Sequence, residues 1–271
     1  MTSSNADAGG QPRSNALQRA SPSYRLAALD QDFILSDAMR GVRFQLEFEK
    51  CDQALKAWGV ASTIVVFGSA RVREGDGGRG DFWCAQARLF GGIASERGGA
   101  LISDGAGERH NVIATGGGPG VMEAANRGAT EVGAPSIGFN IVLPREQEPN
   151  SYTTPALTFA FHYFAMRKMH LAMRANALVV FPGGFGTFDE LFEVLTLRQT
   201  HKAPPIPVVL VDEDYWRSVI NFEALLAHGM IEPGDLRLFD FADDAEEAWR
   251  KLLANGLSLG RHAPAAIMEP R

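Results

Sequence analysis

The sequence has only two cysteines, Cys51 and Cys84, and no apolar run of transmembrane length. Each cysteine lies in a helical pattern, and their spacing matches neither a zinc-ligand pair nor a disulfide framework, so we expect two buried free thiols. No stretch approaches the roughly 20 apolar residues that span a bilayer. The first residues also lack the apolar core of a secretory signal. We therefore expect a cytoplasmic protein without a membrane partner.

An excess of positive charge is also missing, since 26 Lys and Arg face 32 Asp and Glu, for a net charge of −6. This balance argues against a protein that coats nucleic acid. No Gly-Lys pair occurs, which excludes a P-loop. The dinucleotide fingerprint fails as well, because its third glycine would fall on Val121 or Glu123. An NAD-dependent oxidoreductase is therefore disfavoured.

What the sequence does have is an alternation of short apolar strands and helical patterns, typical of an α/β fold. We predict a single Rossmann-like, doubly wound parallel sheet with helices on both faces, over residues 61–255. A helical extension is predicted at 25–60, with a disordered tail at 1–24 and a flexible one at 256–271. The predicted strands are Thr63–Phe67, Asn111–Thr115, Ser136–Ile141, Leu157–Phe161, Ala177–Phe181, Pro207–Val211 and Leu236–Phe241.

Three of these strands end in loops of small residues, namely Gly68-Ser69, Gly116 to Gly120, and Gly183 to Thr187. In a doubly wound sheet such loops gather at the carboxyl edge, where ligands bind. Each loop alone is also compatible with a tight turn between strand and helix. Two glycine loops at helix N-termini, with arginine nearby, indicate a mononucleotide or sugar phosphate.

The stretch Pro182 to Glu190 joins a glycine loop to a helix that holds a carboxylate. Thr187 and Glu190 are three residues apart, so in a first helical turn they share one face. A phosphate cradle and a carboxylate would then lie side by side. The competing interpretation is a glycine turn in which Thr187 and Glu190 form a capping box.

The helix that precedes the predicted strand Ala177–Phe181 contains Arg167, Lys168 and Arg174 among many apolar residues. Arg167 and Arg174 are seven apart and share a face. An arginine in a buried helix needs a partner, and Glu190 or a ligand phosphate would provide one.

Three segments together resemble the Lonely Guy (LOG) family: Gly116 to Ala129, the pair Arg167-Lys168, and Pro182 to Glu190. The resemblance covers roughly residues 62–211. It implies a phosphoribohydrolase that cuts the N-glycosidic bond of cytokinin riboside 5′-monophosphates, and often of AMP, releasing the base and ribose 5-phosphate. The long segment before residue 62 resembles the larger bacterial type, which implies a homodimer or a higher homo-oligomer. The segment 100–109 departs from the family by its length.

The resemblance also implies roles for individual residues. The catalytic arginine falls on Arg167 and the catalytic glutamate on Glu190. Substrate-binding positions fall on Ser69, Gly117, Gly118, Gly120, Lys168, Arg174, Gly183, Gly184, Gly186 and Thr187. No metal or other cofactor is implied. Glu190 would either stabilise an oxocarbenium-like state through the ribose hydroxyls or activate the attacking water, and Arg167 would hold the phosphate or Glu190 itself.

Two other functions remain to be weighed. A lysine decarboxylase needs a Schiff-base lysine for pyridoxal phosphate, and of five lysines only Lys168 is near the predicted site. Proteins of the same fold that carry molybdenum cofactor form the stronger alternative. A carrier would keep the glycine loops but would not need the pair Arg167 and Glu190, so we favour the hydrolase.

Overall fold

The computed structural model describes residues 14–75, 77–143 and 148–260, and the chain divides into two compact units between Leu46 and Glu47. This division falls before the predicted boundary at residue 60. The predicted boundaries at residues 24, 60 and 255 stay predictions. Residues 1–13 and 261–271, parts of the two predicted tails, lie outside the described residues.

The first unit contains two short helices and the beginning of a longer one, which continues past Leu46 into the second unit. Helix α1 (Ala16–Ala20) lies within the stretch predicted to be disordered, and α2 (Gln31–Leu35) is followed by α3 (Arg40–Ala57). The continuous helical pattern predicted from residue 24 is interrupted because the side chain of Asp30 caps α2 and Ser36 ends it in an extended conformation. The Arg43 guanidinium donates to the carbonyls of Ile34 (2.8 Å) and Ser36 (2.5 Å).

The second unit contains one sheet of seven parallel strands in the order β4-β3-β2-β1-β5-β6-β7. The strands are β1 (Thr63–Phe67), β2 (Val112–Thr115), β3 (Ser136–Ile141), β4 (Thr158–Phe161), β5 (Ala175–Val180), β6 (Val208–Val211) and β7 (Asp240–Ala242). Every residue of β1, β2 and β6 is buried, as expected for central parallel strands. The predicted α/β fold is confirmed.

Helices cover both faces of this sheet. They are α4 (Arg79–Gly98), α5 (Val121–Glu131), α6 (Phe164–Met173), α7 (Phe185–Gln199), α8 (Glu213–Val219), α9 (Phe222–Ala227) and α10 (Ala245–Ala254). Helix α4 packs closely on α5, since a Cβ on Gly128 would lie 1.9 Å from the Arg88 carbonyl oxygen. Helix α6 packs on β3 and β4. Within the described residues, no helix is both long and apolar enough to cross a bilayer.

Two predicted elements differ from the structure. The sequence pattern from Tyr215 to Gly229 predicts one helix. The structure has two helices there, because Ile220 is extended and the Asn221 side chain caps α9 through the Ala224 N–H. The strand predicted at Leu236–Phe241 is shorter and later, since Asp235–Arg237 forms a 3₁₀ turn before β7. Neither difference alters the central strands β2, β1 and β5, whose carboxyl ends lie side by side.

Candidate active site

The three predicted loops meet at the carboxyl ends of β1, β2 and β5. The Ser69 N–H donates to the Pro182 carbonyl (2.9 Å), and the Ser69 carbonyl accepts from the Val121 N–H (3.1 Å). A Cβ on Gly120 would lie 2.4 Å from the Ser69 carbonyl oxygen, and Gly120 has φ +74°, so both contact and conformation require glycine there. Ser69 thus joins the other two loops through its backbone.

The N-terminus of α7 faces this junction with unpaired amides. Gly184 is the N-cap residue, and it provides no side-chain cap. Within the described part of the chain, the N–H groups of Gly184, Phe185 and Gly186 donate to no other residue, and all three residues are exposed. Free amides at the positive end of a helix dipole favour an anion.

The capping-box interpretation of Thr187 and Glu190 is wrong. Helix α7 begins at Phe185, so Thr187 lies inside its first turn and Glu190 lies in its second. Neither side chain caps the helix. The Thr187 side chain packs on the preceding loop instead, because a Cβ on Gly183 would lie 2.1 Å from its Oγ1. The motif therefore places a hydroxyl beside the amides and a carboxylate one turn behind them.

Glu190 is a buried carboxyl group, only 5% exposed. Burial raises its pKa to about 7, because the ionised form loses its hydration; Arg167 and Lys168 oppose this rise, whereas Glu193 and Asp189 add to it. A carboxyl group with a pKa near neutrality exchanges protons readily at physiological pH, which is the property that general acid–base catalysis requires.

Arg167 lies on helix α6 and extends to the loop after β2. One of its terminal nitrogens, Nη2, would be 2.8 Å from a Cβ on Gly116, so the guanidinium lies against the loop after β2. Burial lowers its pKa, and the charges of Glu190 and Asp189 oppose that change. Its Nε is buried and has no hydrogen-bond partner among the described residues. The guanidinium thus keeps an unpaired donor beside the site.

Lys168, predicted to bind substrate, pairs with two carboxylates. Its Nζ lies 2.8 Å from Asp189 Oδ1 and 2.9 Å from Glu193 Oε2. These pairs raise the pKa of Lys168 against the opposing effect of burial. The positive charge of Lys168 lowers the pKa of Glu190, but its ammonium group is already paired with the two carboxylates on α7.

Loop Gly116 to Gly120 is held by side chains that the sequence analysis missed. The Gly117 N–H donates to Thr115 Oγ1 (2.9 Å), so this amide is not free for a phosphate. Asn150 donates its backbone N–H to the Gly117 carbonyl (2.8 Å) and its Nδ2 to the Gly118 carbonyl (3.1 Å). Gly117, Gly118 and Gly120 are all buried, whereas the loop after β5 is open. In the sequence, Asn150 is only an asparagine in a loop that contains several prolines, and nothing near it indicates a contact with Gly117 or Gly118.

Arg174 lies at the opposite edge of the sheet, so its assignment to the site is wrong. Its carbonyl accepts from the N–H of Thr63, the first residue of β1, and its Nη2 donates to Asp52 Oδ1 at 2.5 Å. The seven-residue spacing does put Arg167 and Arg174 on one helix face. It also separates them by about two turns along the axis, roughly 10 Å, and α6 ends at Met173.

Replacing Arg174 with Met should therefore reduce stability and leave catalysis unchanged. Arg174 and Asp52 are 12% and 7% exposed at their side chains, and breaking a buried pair leaves an uncompensated charge. The Lys56 ammonium, 2.7 Å from Asp52, will offset part of this cost. We expect the free energy of unfolding to fall by about 3 kcal/mol in urea titrations. An unchanged free energy of unfolding together with a large loss of kcat would contradict this placement.

One potential metal-binding cluster lies outside the site, in the segment 100–109 and the residue after it. Among the described residues, Asp104, Glu108 and His110 bring ligand-type atoms within 4.8 Å of one another. His110 lies two residues before the amino end of β2, whereas the site is at the carboxyl ends. The cluster is therefore separate from Glu190 and Arg167.

The raised pKa of Glu190 predicts a distinctive pH dependence of stability. The folded state holds this proton up to about pH 7, whereas the unfolded state releases it near 4.5. Stability from this group is thus complete below pH 4.5 and is lost as pH rises through 7, by about 3 kcal/mol. Glu190→Gln cannot ionise and will not show this loss. Urea titrations of both proteins at pH 5 and pH 8 test this prediction, and a difference between them that does not change with pH would contradict it.

Comparison with known proteins gives matches over part of the chain. The sequence model of a family described as "Possible lysine decarboxylase" matches residues 122–252. Cytokinin riboside 5′-monophosphate phosphoribohydrolase LOG7 of Arabidopsis thaliana is 30% identical over 53% of this chain and 66% of its own. Probable cytokinin riboside 5′-monophosphate phosphoribohydrolase LOGL5 of rice (Oryza sativa subsp. japonica) is 32% identical over 52% of this chain and 58% of its own. The chain thus spans less than two thirds of these relatives.

Solved structures with a similar arrangement are more distant in sequence. The molybdenum cofactor binding protein from Rippkaea orientalis is 17% identical, with a TM-score of 0.47 over 71% of this chain and 96% of its own. The Moco Carrier Protein from Chlamydomonas reinhardtii is 23% identical, with a TM-score of 0.46 over 71% of this chain and 98% of its own.

Proposed function

This chain is a relative of the Lonely Guy phosphoribohydrolases, and on that premise we propose that it hydrolyses the N-glycosidic bond of adenosine-type nucleoside 5′-monophosphates. Water adds to C1′ of the ribose, the bond from C1′ to the base breaks, and the free base leaves with a proton. Ribose 5-phosphate is the second product. AMP and its N6-prenylated, cytokinin-type derivatives are the proposed substrates, in the cytoplasm, where such nucleotides occur.

The observation that best supports this proposal is the buried carboxyl group of Glu190, one helical turn behind free amides. The amides of Gly184, Phe185 and Gly186 would bind the phosphate, with the Thr187 hydroxyl beside them. Binding energy from the phosphate, remote from the reacting bond, would orient the ribose. Glu190 would then lie within the same site as the sugar.

Glu190 would act as a carboxylate. It would stabilise the oxocarbenium-like transition state through the ribose hydroxyls, or take a proton from the attacking water. Both roles require the ionised form, so the rate should rise with pH as Glu190 ionises near pH 7. Arg167 would favour that form by its charge, and its guanidinium lies against the loop after β2, where it would hold the nucleotide or Glu190.

A decarboxylase is not supported by the site. Pyridoxal phosphate needs an unprotonated lysine to form its Schiff base. The only lysine beside Glu190 is Lys168 within the described residues, and its carboxylate partners raise its pKa. Those pairs favour the protonated ammonium. The family description therefore fits this chain less well than hydrolysis does.

We also propose that the protein forms a homo-oligomer. An open groove of about 470 Å³ runs along α7, with an apolar side of Phe185, Phe188, Phe192 and Leu197 and a polar side of Lys168, Asp189, Glu193 and Thr196. Phe185 is 93% exposed at the mouth of the anion site. Exposed phenylalanines next to a site are typical of an interface. Light scattering after gel filtration tests this: a monomer at all concentrations would contradict it.

The activity is tested by incubating the protein separately with AMP, isopentenyladenosine monophosphate and adenosine. Chromatography then quantifies the free base and ribose 5-phosphate. We expect release from the two monophosphates and at least a hundredfold less from adenosine, which lacks the phosphate. Tight nucleotide binding without any release of base would instead favour the carrier function.

A further inference from the structure

Tyr215 and Asp212 form a network behind the anion-binding loop. The Tyr215 hydroxyl donates to the carbonyl of Gly183 at 2.6 Å. The Tyr215 backbone N–H in turn donates to Asp212 Oδ1 at 3.1 Å, because Asp212 is the N-cap of α8. A tyrosine on one helix thus binds the backbone of the loop that precedes another helix, α7.

Asp212 itself is held in an unusual conformation. It is 4% exposed and has φ +74°, a left-handed conformation that is rare for residues other than glycine. Its carboxylate accepts from Arg79 Nη2 and from Trp83 Nε1, both at 2.8 Å. Strained backbone at the carboxyl edge of a sheet persists only when surrounding contacts fix it, and it is typical of functional sites.

The bond to the Gly183 carbonyl has a direct consequence for the next amide. In a trans peptide, the carbonyl of one residue and the N–H of the next point in opposite directions, and no cis peptide occurs among the described residues. Holding the Gly183 carbonyl towards Tyr215 therefore turns the Gly184 N–H away from it. Gly184 is the exposed N-cap of α7, and its N–H, like those of Phe185 and Gly186, has no acceptor among the described residues.

From this geometry we infer that Tyr215 is a positioning residue, which keeps the loop after β5 in its anion-binding conformation and thereby sets affinity for the substrate phosphate. Without its hydroxyl, the Gly183–Gly184 peptide is free to rotate and present a carbonyl oxygen to the anion. The inference rests on the proposed phosphate site but not on hydrolysis. A carrier that binds a phosphorylated ligand at this loop would need the same bond.

Tyr215 is well suited to this role because its ring is fixed independently of the hydroxyl. The ring packs edge-on against Trp83 (centroids 5.7 Å apart) and Trp216 (5.2 Å). Burial raises the pKa of the phenol, so the hydroxyl keeps its proton and remains a donor. Tyr215→Phe therefore removes one hydrogen bond and leaves the aromatic packing in place.

The test compares the affinities of Tyr215→Phe and the wild type for inorganic phosphate, ribose 5-phosphate and adenine, by calorimetry. Losing one hydrogen bond that fixes the loop should raise the dissociation constants of inorganic phosphate and ribose 5-phosphate about five- to tenfold. The dissociation constant for adenine, which has no phosphate, should change less than twofold. Tyr152→Phe is the matched control, since it removes the hydroxyl of another half-buried tyrosine, and it should change none of the three.

Asp212→Asn provides a second variant in case Tyr215→Phe does not fold. It keeps the tyrosine but weakens the contacts to Arg79 and Trp83, so it should shift phosphate affinity in the same direction by a smaller factor. Unchanged phosphate affinity in Tyr215→Phe, an equal loss for adenine, or no phosphate binding by the wild type would overturn the inference. If the wild type binds phosphate but releases no base, only the proposed function fails.

Discussion

Glu190→Gln is expected to lower kcat for nucleotide hydrolysis about a thousandfold, within the usual range for removing a general base. The amide has nearly the same shape, but it has neither a negative charge for the transition state nor a site for the water's proton. The anion-binding amides of α7 are untouched, so KM for AMP should change little. Steady-state rates at pH 8, where the wild-type carboxyl group is ionised, measure this effect.

Glu193→Gln is the matched control, because it is the same substitution one turn further along α7, on a residue that pairs with Lys168. Its kcat should stay within about threefold of the wild type, a change that corresponds to a weak indirect charge effect. Equal losses in both variants would show that the charge of the cluster matters rather than Glu190 itself.

Arg167→Met is expected to lower kcat/KM about a hundredfold, comparable to removing one preorganised donor from a site. Arg167 lowers the pKa of Glu190 by its positive charge. Removing that charge should raise the pKa of Glu190 further. The rise of kcat with pH should therefore move to higher pH than in the wild type, and a pH–rate profile from 5.5 to 9 records the shift.

Arg174→Met is the control for this second experiment, since it also removes a half-buried arginine from the same helical segment. It should destabilise the protein without moving the pH–rate profile, because it lies at the amino edge of the sheet. A profile that moves in Arg174→Met, or stays fixed in Arg167→Met, would contradict the roles that we assign to these two side chains.

The central strands and several helices were predictable because their apolar patterns reflect burial directly. The strands Thr63–Phe67 and Ser136–Ile141 have the bounds that the sequence predicts, and the helical pattern from Val121 to about Glu131 coincides with α5. Short runs of β-branched and aromatic residues that end in glycine are typical of strands at the centre of a parallel sheet, which are buried on both faces. The meeting of three loops at one edge also followed, since it depends only on strand direction.

Other features of the site depend on tertiary contacts that no local pattern contains. Arg174 shares a helix face with Arg167, but its partner Asp52 is 122 residues away in sequence. Thr187 and Glu190 have capping-box spacing, yet the helix begins at Phe185 because Gly184 serves as its N-cap. Tyr215 reaches Gly183 only through the packing of α8 beside the loop. Spacing alone cannot predict such contacts.

Hydrolysis through Glu190 is tested by the amount of free adenine and ribose 5-phosphate formed from saturating AMP at pH 8, by the wild type and Glu190→Gln in parallel. We expect equal molar amounts of both products from the wild type and about a thousandfold less from the variant, with AMP still bound by both. Equal rates in the two proteins, or AMP bound by the wild type and left intact, would contradict it.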